Sequence, residues 1–89
     1  MILCELSDTV DLMIEGGYKE RFLAEYAQLS IRLLKLQNTI TTFKNGVLDF
    51  DPETPIEILE AQEETMSLYK SILEKRATFE KINLPEVTL

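Results

Sequence analysis

Phe22, Tyr26, Leu29, Leu33, Leu36, Ile40 and Phe43 follow one another at steps of 4, 3, 4, 3, 4 and 3. That spacing is an unbroken heptad seam and predicts one long helix over residues 18–44. Leu23, Ala27 and Leu34 widen its apolar face beyond a two-stranded seam. Gly16-Gly17 marks a break before it, and Asn45-Gly46 is a turn signal that ends it. Residues 8–15 are expected to form a short helix capped by Ser7, with Val10, Met13 and Ile14 on one face.

A second long helix is expected over residues 55–82. Thr54-Pro55-Ile56-Glu57 reads as a capping box with proline at the first helical position. Leu59, Met66, Tyr69 and Leu73 form its seam, widened by Leu68, Ile72 and Phe79. Gln62 and Arg76 interrupt that stripe, and three readings are open for them: they reach solvent, pair across a subunit contact, or face a ligand. Residues 45–54 connect the helices, and residues 83–89 form a tail beyond Pro85.

The pattern predicts a single all-α domain over 1–89, an antiparallel pair of long helices with a short N-terminal helix. Both long helices have apolar faces wider than one hairpin covers, so a homo-oligomeric helical bundle is expected. Length supports this, because 89 residues bury too small a core for comfort and usually need staples or partners. Disulfides are not an option within one chain, since Cys4 is the only cysteine and is expected to serve as a small buried hydrophobe.

Composition narrows the chemistry. There is no histidine, which with one cysteine excludes a Cys/His zinc site and Ser-His or Cys-His catalysis. No enzyme activity, metal or cofactor is expected. No apolar run approaches the length of a membrane span, and no export signal precedes residue 14, so a cytoplasmic protein without a membrane partner is expected. Asp49, Asp51, Glu53 and Glu60 imitate the spacing of an EF-hand loop, but its required glycine is Thr54 here. Those acids read better as complements to a helix N-terminus. Glu57, Glu60, Glu63 and Glu64 read as a solvated helix face, with an acidic imitation of DNA as the sharper alternative.

Charge is uneven along the chain. The net charge is −7, yet residues 18–44 carry +3. A total of −7 disfavours a nucleic-acid polymer as partner, whereas a local basic segment admits a small phosphorylated ligand. Tyr18, Lys19, Arg21, Tyr26, Arg32 and Lys35 supply the aromatic and cationic groups that stack bases and hold phosphates.

Two spaced patterns sharpen this. The first helix reads Arg21-xxx-Glu25-xxx-Leu29-xx-Arg32-xx-Lys35-Leu36, and the second Gln62-xxx-Met66-xx-Tyr69-xxx-Leu73-xx-Arg76. In order and at this separation they resemble the anti-CBASS cyclic-nucleotide sponges of tailed phages. The resemblance covers about residues 18–80. It implies a compact homo-oligomer, a hexamer, with ligand sites between subunits in the host cell cytoplasm. It also implies sequestration, without cleavage, of 3′,3′-cyclic GMP-AMP and related cyclic di- and trinucleotides that activate CBASS effectors. Carried over, Tyr18 stacks a base, Arg32 and Lys35 meet phosphates, and Arg76 belongs to a second, trinucleotide class of site; Arg21 joins them as a ligand-binding candidate. Arg32 stands where the family pattern has lysine, which keeps the charge and changes the geometry. The alternative from composition is an acidic helical protein-interaction inhibitor or coiled-coil adaptor.

Overall fold

The computed structural model describes residues 2–48 and 51–88. Asp49, the first acid of the EF-hand-like spacing, lies outside the described residues. The elements in chain order are β1 (Ile2–Leu3), a 3-10 turn (Leu6–Thr9), α1 (Val10–Glu15), α2 (Tyr18–Lys44), α3 (Ile56–Glu80) and β2 (Glu86–Val87).

The first long helix has the expected bounds. Gly17 caps it in extended conformation, with its N–H donating to the Glu20 carboxylate at 3.1 Å. Its end is closed by turn hydrogen bonds around Asn45 and Gly46, the latter at φ +71, where glycine carries no steric penalty. Phe22, Tyr26, Leu29, Leu33 and Ile40 of the seam are buried, while Phe43 emerges into solvent.

Three local expectations are corrected. Ser7 does not cap the N-terminal helix. The N-cap of α1 is Thr9, which makes no side-chain cap; the Asp8 carboxylate closes a 3-10 turn ahead of α1 by accepting from the Cys4 and Glu5 N–H groups at 3.1 and 3.0 Å. The Thr54–Glu57 capping box does not form either. Pro55 sits at the N-cap itself with ψ 144, so Thr54 lies one residue too far out, and the Pro55 carbonyl receives the Ile58 and Leu59 N–H groups. The second long helix ends at Glu80 and not at residue 82. Lys81 takes the left-handed conformation at φ 57, and the Ile82 N–H returns to the Ala77 carbonyl at 2.9 Å. That closure folds Ile82 back onto the core, the hydrophobic contact that accompanies such helix ends.

The tail is not a loose end. β2 pairs with β1 in parallel, Ile2 with Glu86 and Leu3 with Val87, and the Thr88 N–H donates to the Leu3 carbonyl at 3.1 Å. Leu3 is buried, Cys4 half-buried, and Val87 packs on the core.

α2 is the central element, flanked by α3 and by the N-terminal segment. The core joins Phe22, Tyr26 and Leu29 of α2 to Leu73 and Ala77 of α3, with Met66, Ile82, Leu84 and Val87 around them. Leu73 and Ala77 are the only buried residues of α3. Of its expected seam, Leu59 and Met66 are half-buried and Tyr69 is exposed; Leu68, Ile72 and Phe79 face solvent, the last at 87% exposure.

Candidate ligand-binding site

Arg21, Glu25, Gln28, Arg32 and Lys35 recur at steps of 4, 3, 4 and 3, so they form one polar stripe along α2. The N-terminal segment and α3 border this stripe and leave a groove of about 370 Å³. Arg21, Gln28 and Arg32 line it from α2, Met13 from α1 and Tyr69 from α3. Arg21 and Arg32 are separated by eleven residues, about 16 Å along the axis.

Each wall of the groove is fixed by a polar contact. The Gln28 amide donates to Thr9 Oγ1 at 2.9 Å and touches Met13 Sδ at 3.5 Å, which holds the N-terminal segment against α2. The Tyr69 hydroxyl donates to the Glu25 carboxylate and ties α3 across the opposite edge. Arg21 Nη1 donates to the Gly16 carbonyl at 3.2 Å. Arg32 is exposed, and among the described residues it forms no ion pair or side-chain hydrogen bond. Lys35 lies one turn further on, with Nζ 3.9 Å from the Glu5 carboxylate.

A second cluster forms where the start of α2 meets the end of α3. Arg76 Nη2 donates to the Tyr18 hydroxyl at 2.8 Å, and Arg76 Nε donates to Glu80 Oε2 at 3.2 Å. The Tyr18 hydroxyl donates in turn to Glu80 Oε1. The Arg76 guanidinium lies 5.1 Å from the centre of the Phe22 ring, within cation–π range. These contacts move the titrations as expected. Glu80 is held below the ordinary carboxylate range, chiefly by the Tyr18 hydroxyl and then by Arg76. Tyr18 is raised, mainly because its hydroxyl donates to the Glu80 carboxylate.

The five expected site residues thus fall into two groups. Arg21 and Arg32 share the groove with Lys35 beyond it, while Tyr18 and Arg76 meet at one end of the helix pair. Gln62 and Arg76 are both exposed, and Arg76 meets the Glu80 carboxylate, the Tyr18 hydroxyl and the Phe22 ring. Met13, Gln28, Tyr69 and Glu80 were not among the expected site residues. Gln28 was recoverable from the 4-3 spacing of Arg21 and Arg32, and Glu80 from its i+4 relation to Arg76. Met13 carried no such signal, because nothing local places α1 beside the stripe. Among the described residues no group of three or more acids or cysteines is placed to hold a metal ion.

Residues 16–79 match the family model described as Sequestin. The chain belongs to the Sequestin family. The match spans α2, the connection and nearly all of α3, and so takes in Tyr18, Arg21, Arg32, Lys35 and Arg76. The α1 wall of the groove and Glu80 lie outside the matched span. The name Sequestin denotes sequestration, a binding role. No curated protein and no solved structure matches the chain. No described helix is long and apolar enough to cross a membrane.

Proposed function

We propose that this Sequestin binds and sequesters cyclic oligonucleotide second messengers without cleaving them. The ligands are 3′,3′-cyclic GMP-AMP and related cyclic di- and trinucleotides, and their removal in the host cytoplasm blocks activation of CBASS effectors. The observation that carries this reading is the stripe on α2, where Arg21 and the exposed Arg32 line a groove that also offers Tyr69. Guanidinium groups bind phosphate through paired N–H donors, and an aromatic ring offers a face to a base. The Tyr18–Arg76 pair repeats the same two chemistries at the helix ends.

Size supports a shared site. A groove of about 370 Å³ is at the low end of the range for small-molecule pockets, about 300–1,000 Å³. A cyclic dinucleotide fills it with part of its bulk and leaves the rest for a second subunit to enclose. Leu68, Ile72 and Phe79 on the outer face of α3 are the apolar surface on which subunits of a homohexamer pack. At a two-fold contact each arginine and each aromatic is presented twice, which suits a ligand with two phosphates and two bases.

The test is direct. Mixing the protein with 3′,3′-cyclic GMP-AMP raises its melting temperature, because the ligand binds only the folded state. Heating the complex then releases intact cyclic ligand. Linear product would replace sequestration by hydrolysis, and the absence of binding across several cyclic di- and trinucleotides would refute the reading. Arg32→Ala and Lys35→Ala weaken binding while the fold persists. Capture of one host protein, sensitive to charge reversal at Glu57 and Glu64 and indifferent to Arg32, would favour an acidic interaction inhibitor instead.

A further inference from the structure

Glu80 occupies an unfavourable place for a carboxylate. It is the last residue of α3, where the partial negative charge of the helix end repels an acid. Its position is offset by two donors, Arg76 Nε and the Tyr18 hydroxyl, which engage its two oxygens separately. Two donors on two oxygens of one anion is the arrangement in which a guanidinium and a phenol would also grip a phosphate. Arg76 does not depend on Glu80 for its orientation, because it also lies over the Phe22 ring and donates to Tyr18. All three members are accessible: Tyr18 is 55% exposed, and the Arg76 and Glu80 side chains are 46% and 32% exposed.

We infer that the Glu80 carboxylate is an internal competitor that occupies the anion-binding donors of Arg76 and Tyr18, so that an incoming phosphate must displace it and Glu80 sets the affinity of this site. The inference rests on the reading that the chain binds cyclic oligonucleotides, and concerns the Tyr18–Arg76 end alone. Arg32, which has no such internal anion among the described residues, accepts a phosphate without an exchange. The two cationic positions therefore differ in what each demands of a ligand. At Arg76, binding exchanges one anion for another, so ligands with more phosphate charge compete better there.

The experiment is a calorimetric titration of the full chain with 3′,3′-cyclic GMP-AMP and with cyclic triadenylate. Wild type, Glu80→Gln, Glu80→Ala, Arg76→Ala and Glu86→Gln are compared, with thermal melting as the check on folding. Glu80→Gln keeps the shape of the side chain and removes its charge. It tightens binding of whichever ligand depends on Arg76 by about three- to tenfold, the scale of a lost exposed ion pair together with a lost like-charge repulsion. Glu80→Ala acts in the same direction. Glu86→Gln removes the same charge from β2 and leaves the affinity unchanged.

Unchanged or weaker binding in both Glu80 variants, with the wild type still binding, would overturn the inference and leave the sponge reading standing. Equal tightening by Glu86→Gln would overturn it as well, since net charge and not local competition would be responsible. Ligand binding insensitive to Arg76→Ala would also reject it. No binding of either ligand by any of the five proteins would reject both the inference and the reading beneath it.

Discussion

Leu73 is the residue on which the attachment of α3 most depends. It is 1% exposed and packs with Phe22, Tyr26, Leu29 and Ala77, while the outer face of its helix is open to solvent. Leu73→Ala removes three carbons from that core and leaves a cavity. Substitutions of this kind cost about 2.7–5 kcal/mol, the range reflecting how far the surroundings collapse into the space. In the unassembled chain α3 is free to settle inward, because among the described residues nothing packs on its far side. The low end, about 3 kcal/mol, is therefore expected. A chain of 89 residues has a total stability of about 4–13 kcal/mol, so the change removes a fifth or more of it. The corresponding fall in melting temperature is about 12–24 °C. Urea unfolding followed by far-ultraviolet circular dichroism measures the difference, with both proteins at the same concentration because self-association would add to stability. A loss under about 1 kcal/mol with an unchanged denaturant slope would refute the assignment of Leu73 as the anchor of α3.

Two further outcomes follow from the geometry of single positions. A Cβ on Gly16 would sit 2.1 Å from Glu20 Cβ and 2.8 Å from the Leu12 carbonyl oxygen, whereas one on Gly17 meets only Glu20 Oε2 at 3.5 Å. Gly16→Ala should cost about 2–3 kcal/mol by forcing α1 away from α2, and Gly17→Ala under about 1 kcal/mol; equal losses in chemical denaturation would contradict the close approach at Gly16. Tyr26 is held above the ordinary tyrosine range by burial and by donating its proton to Glu74 at 2.9 Å. The neutral phenol is the form favoured by folding. Its contribution to stability is complete below the unfolded value of about 10 and is lost as pH rises through the raised folded value. The absorbance titration of wild type minus Tyr26→Phe should show a phenol ionising late; a difference curve centred at the ordinary value would reject the Tyr26–Glu74 hydrogen bond.

Local sequence sets the long helices. The 4-3 spacing from Phe22 to Phe43, the glycine pair before Tyr18 and Asn45-Gly46 after Lys44 fixed α2 at both ends, because helix hydrogen bonds and turn conformations are decided by residues within a few positions of each other. The same locality placed Arg21, Arg32 and Lys35 on one stripe. At the ends of the other helices the local signals misled. Ser7 and Thr54 are good capping residues by type, but a 3-10 turn closed by Asp8 puts Thr9 at the N-cap of α1, and Pro55 takes the cap position of α3. Periodicity found α3 without saying which side of it is covered: Leu73 and Phe79 are both apolar positions on one helix, and only the packing against α2 buried the first and left the second in solvent. The tertiary structure alone joined Leu3 to Val87 across almost the whole chain, set Met13 beside the arginine stripe, and brought Tyr18 to Arg76 and Glu80. Those partners come from segments far apart in sequence. Their meeting is fixed by the antiparallel course of two helices and a terminal strand pair, and no spacing within either segment encodes it.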